Sequence, residues 1–243
     1  MGIPSGNVGF GGEGSGGEYH SIYDSYDHFI RFKDPGLQYG VTLAKTAGRM
    51  MMRMANADVL PFDYSILTNT INDYFSEIKN LIDNSRSQVE MENKLIAEKI
   101  YQLAADPKEK MKLPVGKPVV PYLDFSTVEN ALAQLKKSTD ALKSSIIKAE
   151  KLDASSLNML NQILYQAEQK LLYENGLPRR PWYKHQIYAP GYYTGYGVKT
   201  LPGLREGIEE SNWGETKERI EILSQTLLKF DGAIQEALSI LAK

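Results

Sequence analysis

The chain has 243 residues, 42% of them hydrophobic, enough for one large domain or two small ones with a buried core. Its 28 lysines and arginines nearly balance 30 aspartates and glutamates, with no basic stripe interleaved with aromatics, so the signature of a nucleic-acid partner is missing and a protein or small-molecule partner is favoured. The lack of cysteine removes disulfides, thiolate metal sites and a cysteine nucleophile together, and no apolar run reaches the roughly 18 residues a membrane helix needs.

The opening "MGIPSGNVGF" has neither the basic start nor the apolar core of a signal peptide, and Gly6 stands where a myristoylation motif needs Ser or Thr. The compartment is therefore left open. Residues 1–18 carry Gly2, Gly6, Gly9, Gly11, Gly12, Gly14, Gly16 and Gly17, a density that forbids regular structure. It suits either a flexible terminus or a loop whose backbone passes close to something.

"GEYHSIYDSYDHF", residues 17–29, places two of the three histidines among tyrosines and aspartates. On a helix His20, Asp24 and His28 would share a face at four-residue spacing, but the zinc pattern His-Glu-x-x-His is absent, and a polar surface helix explains the same letters. Asp34-Pro35 predicts a capped helix over 35–56, with Leu37, Val41, Ala44, Met51 and Met54 near one face and the methionine cluster as core filling. Pro61 breaks it, and a domain boundary is placed there.

Helical texture dominates after Pro61. Ile71, Tyr74, Ile78 and Leu81, then Leu95, Ile96, Ile100 and Leu103, form one long helix or a pair broken around 84–87. Pro107, Pro114, Pro118 and Pro121 make a non-helical connection. Ser126 to Glu129 reads as a capping box launching Val128, Leu132, Leu135, Leu142 and Ile146. A further helix runs from about Ser155, carrying Leu157, Leu160, Leu164, Ala167 and Leu171, to Asn175-Gly176.

The last helix opens at Asn212 with Glu215 three residues on and carries Ile220, Leu223, Leu227, Phe230, Ile234, Ala237 and Leu241, nearly three heptads of bundle seam. The expected fold class is mainly α, an up-and-down helical bundle over 61–243 preceded by a separate segment, 1–60. One stretch breaks the periodicity: residues 176–203, "GLPRRPWYKHQIYAPGYYTGYGVKTLPG", with Tyr183, Tyr188, Tyr192, Tyr193 and Tyr196. Its length and aromatic content predict an ordered loop that covers or contacts something. His185 within it reads as a hydrogen-bonded loop histidine. Nucleophile elbow, phosphate loop and dinucleotide fingerprint are all absent.

Together "GEYHSIYDSYDHF", the "DPG" helix start, "ANADVLPFDY", "GLPRRPWYKHQIYAPGYYTGYGVKTLPGLREGIEE" and the closing helix resemble the C-terminal part of the glutamate carboxypeptidase II and transferrin receptor family. The resemblance covers nearly the whole chain and is weakest over 84–124. It implies that residues 1–60 are the tail of an α/β zinc peptidase domain and that 61–243 are a transferrin receptor-like dimerisation domain forming homodimers and part of a substrate pocket. His20 then matches the family's last zinc ligand, Tyr19 the tyrosine that holds the tetrahedral intermediate, and Tyr196 the pocket tyrosine that binds a substrate's terminal carboxylate.

The same resemblance implies two zinc ions in a full-length parent, whose remaining ligands and general-base glutamate would precede Met1, in cis or on a separate chain. This chain alone is expected to hold no zinc tightly and to hydrolyse no peptide. Asp24 and Asp27 match no family ligand. Asn7 falls in the stretch "GNVGF" that contributes to substrate binding, but Asn7 and Gly9 stand where glutamate-specific members carry an arginine pair, and Gly195 replaces a lysine before the pocket tyrosine. Losing those cations weakens any expectation of acidic substrates. A non-enzymatic receptor-like or structural dimerisation module is the alternative reading.

Overall fold

In the computed structural model all residues are described except 1, 13, 15, 16, 107, 109–111 and 243. Gly16 of the glycine-rich run and Pro107 of the proline connection lie outside the described residues. The chain divides into two compact units: Pro4–Pro61, and Phe62–Lys243 together with the first residues of the chain.

In the first unit a short α1 (Tyr26–His28) passes directly into a π-helical turn, Phe29–Lys33. The helix α2 (Gln38–Ala55) starts three residues later than Asp34-Pro35 predicts. The cause is local: Leu37 N–H donates to the Asp34 carbonyl at 2.9 Å, with Gly36 at φ +82°, so Asp34 to Leu37 form a tight turn of type II character. Asp34 nevertheless caps the helix from a distance, its carboxylate accepting from Tyr39 and Gly40 N–H at 3.0 and 2.8 Å. The methionines read as core filling are exposed, and α2 buries no residue, because its own unit offers no second layer for that face.

The second unit is a helical bundle. Asp63 caps α3 (Tyr64–Ala97), accepting from Ser65 N–H at 3.0 Å, and the helix runs unbroken through the polar stretch 84–87. It ends at Lys99, whose φ of +59° is left-handed, and one more turn, α4 (Ile100–Ala104), follows. Of the proline connection, the part near Lys117 is laid along α3 by paired hydrogen bonds between Asn93 and the Lys117 backbone, 2.8 Å each.

The predicted capping box at the start of α5 (Ser126–Ser145) does not form. Asp124 accepts from Ser126 N–H at 2.9 Å instead, and Glu129 turns away to Lys79 Nζ at 3.0 Å. The Asp124 carboxylate takes the Ser126 N–H that the Glu129 side chain would accept in a capping box, while Glu129 N–H donates to the Phe125 carbonyl at 3.0 Å.

A 3-10 segment, Ile146–Lys151, leads to α6 (Ala154–Gln166) and another, Ala167–Leu171, follows it. The helix therefore stops short of Gly176, because the extended backbone at Leu172 leaves to pair with His185. Residues 176–203 contain a two-stranded antiparallel hairpin, β1 (Tyr188–Pro190) and β2 (Val198–Thr200), in register Tyr188 to Thr200. Two helices complete the unit: α7 (Pro202–Glu209), with Pro at its first position, and α8 (Trp213–Leu241), capped by Asn212 accepting from Glu215 N–H at 3.3 Å.

All seven residues of the α8 stripe, from Ile220 to Leu241, are buried. They pack against Leu132, Leu135 and Leu142 of α5 and Leu160 and Leu164 of α6, with Ile71, Phe75 and Ile78 of α3 completing the core. Each such side chain contributes about 1.5–3 kcal/mol of burial. Three hydrogen bonds lace α8 to α5: Ser224 Oγ to the Thr127 carbonyl (3.0 Å), Gln134 Nε2 to Asp231 Oδ2 (2.6 Å) and Gln235 Nε2 to Ser138 Oγ (2.6 Å). Every pair is separated by 97 positions, so the two helices run parallel and in fixed register. By contrast Lys136 to Asn69 and Lys143 to Asp63 cross α5 to α3 with falling numbers against rising ones, an antiparallel pairing. The expected up-and-down, mainly helical bundle is what the chain forms. Among the described residues no helix is long and apolar enough to cross a membrane.

Candidate functional site

In the first unit, residues 18–25 form turns rather than a helix, with Ser21 N–H donating to the Glu18 carbonyl at 2.9 Å and His20 itself at φ +61°. His20, Asp24 and His28 therefore do not share a helix face. The His20 and Tyr19 rings stack at 3.9 Å and 22°, both side chains exposed. Glu18 anchors the turn, accepting from Gly17 N–H at 2.9 Å and pairing with Lys33; these two contacts, the Gly17 bond foremost, hold its carboxyl down at about 2. Asp27 is engaged with Arg31 at 3.0 Å. Asn7 is exposed. Among the described residues no group of three histidine, aspartate or glutamate side chains could hold a metal ion. A catalytic zinc takes about three protein ligands, more than His20 alone supplies.

In the second unit the candidate site is the β1–β2 hairpin. Tyr196 sits between the strands, its side chain fully exposed, beside the exposed Tyr193. The loop closes on itself through Gly191 N–H to the Gly197 carbonyl (3.0 Å) and Thr194 Oγ1 to the same carbonyl (3.1 Å). A Cβ on Gly191 would lie 2.2 Å from Thr194 Oγ1, so the closure needs glycine there.

Below the loop lies a charged pair that is 3% exposed on each side: Arg180 Nη2 donates to Glu206 Oε1 at 2.9 Å, and Nη1 sits 2.8 Å from Oε2. Glu206 Oε1 also accepts from Tyr192 N–H at 2.8 Å, the first residue of the loop proper. The Tyr192 ring lies over the guanidinium groups of Arg179 and Arg180, 4.8 and 5.7 Å from its centroid. Arg179 in turn forks onto Glu210 at 2.7 and 3.2 Å.

At the other end of β1, Tyr188 Oη donates to Glu168 Oε1 at 2.9 Å, and its ring stacks on His185 at 4.4 Å. His185 Nδ1 accepts from Ile187 N–H at 3.2 Å, which puts the ring proton on Nε2, 3.5 Å from Glu168 Oε1. The imidazole first, and the Tyr188 hydroxyl after it, hold the Glu168 carboxyl below its usual value. Burial, with the Glu168 bond adding to it, pushes the Tyr188 phenol up to about 12. His185 is thus a hydrogen-bonded histidine, as its loop context predicts. The sequence reading missed Arg180, Glu206 and Glu168, whose hydrogen-bond partners lie 14 to 26 positions away; groups spaced so far apart carry no periodic signal.

Residues 123–235 match the transferrin receptor-like dimerisation domain. The chain is 29% identical over 219 residues to a probable glutamate carboxypeptidase of Arabidopsis thaliana, which covers 90% of this chain and 27% of the relative. It is 28% identical over 231 residues to a probable glutamate carboxypeptidase of Arthroderma benhamiae, covering 93% and 27%. To an aminopeptidase of Mus musculus it is 21% identical over 219 residues, 86% of this chain and 25% of the other. The chain thus spans about a quarter of the length of the curated relatives it matches. Over residues 123–235 the chain is thus similar to the transferrin receptor-like dimerisation domain, and along most of its length to proteins named as probable glutamate carboxypeptidases.

Proposed function

We propose that this chain is the C-terminal part of a zinc-dependent exopeptidase, with residues 1–60 the tail of its peptidase domain and 61–243 the domain through which two copies associate. The observation that carries this reading is the dimerisation-domain match together with a hairpin that holds Tyr196 fully exposed, free to meet a substrate. In the complete protein Tyr196 would bind a substrate's terminal carboxylate, Asn7 would contribute to substrate binding, and Tyr19 would donate to the oxyanion of the tetrahedral intermediate. His20 would supply one ligand to a zinc centre whose other ligands come from outside this chain; the ions, when bound, activate water for attack on the peptide carbonyl. With Asn7 and Gly195 in place of cations, any preference for acidic residues would be weakened.

Association and chemistry are tested separately. Light scattering of the isolated chain should give a dimeric mass at about 10 μM, a concentration at which interfaces of standard size are occupied; a strictly monomeric mass at tenfold higher concentration refutes the association. In a protein that includes the remaining ligands, His20→Ala should lower zinc content, and Tyr196→Phe should raise KM for a peptide by about tenfold with zinc content unchanged. A dimeric protein that binds neither zinc nor peptide would instead be the receptor-like module.

A further inference from the structure

We propose that the buried Arg180–Glu206 pair is a positioning device for the Tyr196 loop; the inference rests on the reading of Tyr196 as a substrate-binding residue. Two features separate this from an ordinary structural ion pair. First, Glu206 Oε1 divides its bonding between Arg180 Nη2 and the Tyr192 backbone N–H, so the one carboxylate oxygen holds both the partner charge and the start of the loop. Second, the tyrosine it holds lays its ring over both Arg179 and Arg180, so the backbone and the side chain of Tyr192 are fixed together.

The far side of the loop is fixed differently. There the Gly191–Gly197 and Thr194–Gly197 bonds close the loop onto itself, and they set its shape without tying it to the bundle. The loop itself is tied to the bundle through Glu206, on α7, a helix that packs against α8, while β2 is tied to the same helix by the Lys199–Glu209 ion pair. The placement of Tyr196 relative to the helical core is therefore set by a residue ten positions away from it, in the next helix. The pair touches no reacting group; it acts through the loop.

The test separates positioning from stability by exploiting the cheapness of replacing a buried ion pair whole. Arg180→Met with Glu206→Met keeps volume and removes both charges, a change that leaves folding near neutral, while it deletes the acceptor for Tyr192 N–H. Hydrogen exchange of the intact chain is then read at single amides. The expected result is exchange at least about tenfold faster at Gly191, Tyr192 and Thr194, with Leu201 N–H and the α8 amides unchanged. A second variant, Arg180→Met with Glu206→Gln, restores a neutral acceptor and should return protection to Tyr192. Unchanged loop protection in the double methionine variant overturns the proposal, as does loss of protection throughout α8. If instead the loop loosens as expected but Tyr196→Phe leaves peptide binding intact in the complete protein, the positioning stands and the substrate role of Tyr196 falls.

Discussion

Tyr64 stands edge-on to Phe230, ring centroids 5.5 Å apart at 80°, and its hydroxyl donates to the Leu164 carbonyl, so that the first residue of α3 joins α8 and α6 at one point. Burial pushes the Tyr64 phenol well above its ordinary value, so it stays a neutral donor. Phe230→Ala should cost about 3–5 kcal/mol, and Tyr64→Phe, which keeps the ring and leaves the Leu164 carbonyl with its other donor, the Ala167 N–H, about 0.5–1.5 kcal/mol. Chemical denaturation measures both. Equal losses would mean that the hydroxyl and not the ring organises the junction.

Breaking the Arg180–Glu206 pair on one side is a different matter from removing it. Arg180→Met alone strands a buried carboxylate and should destabilise the second unit by about 3–5 kcal/mol, read as a fall in the urea midpoint at pH 7.

Gly176 lies at φ +65°, and a Cβ there would stand 2.2 Å from the Pro181 carbonyl oxygen, a backbone atom that cannot swing aside. Its own carbonyl accepts from Arg219 Nη1 at 3.1 Å, tying the turn to α8. Gly176→Ala should therefore lower stability by at least about 2 kcal/mol, combining strain with displacement of the turn. A thermal melt of the variant suffices, and an unchanged Tm refutes the argument.

Glu168 gives the second unit a pH signature. Its folded carboxyl lies below the ordinary 4.5, so as pH falls past 4.5 the unfolded chain takes up its proton first. Stability contributed by this group is full above that value and is lost as pH falls through the folded pKa. Tyr188 acts in the opposite sense: raised to about 12 from 10.0, its contribution is full below 10 and is lost as pH rises through about 12. Glu168→Gln should flatten the acid limb of stability against pH, measured by denaturant midpoints from pH 3 to 7, and steeper acid loss in the variant would contradict the assignment.

What could be read from the letters was what repeats. The α8 stripe from Ile220 to Leu241 and the Asn212–Glu215 cap were legible because helical burial recurs every three or four positions and a cap has a fixed offset. The start of α2 and the cap of α5 were misplaced by local competition: a Pro35-Gly36 turn in one, an upstream Asp124 in the other. Strands of three residues are too short to show alternation, so the hairpin read only as an ordered loop. α7 went unseen because "PGLREGIE" carries two glycines in eight residues, and its helix is held by packing on α8 rather than by propensity. The aromatic letters drew notice to Tyr196, but the charges beneath it were joined only by folding.

The constant offset of 97 between the bonded residues of α5 and α8 has a mechanical meaning. Sliding one helix past the other by a single turn, about 5.4 Å, would break all three bonds at once and strand the buried Asp231. The pair cannot act as a ratchet. Any movement that reaches one of these two helices is carried by both together, as a single block.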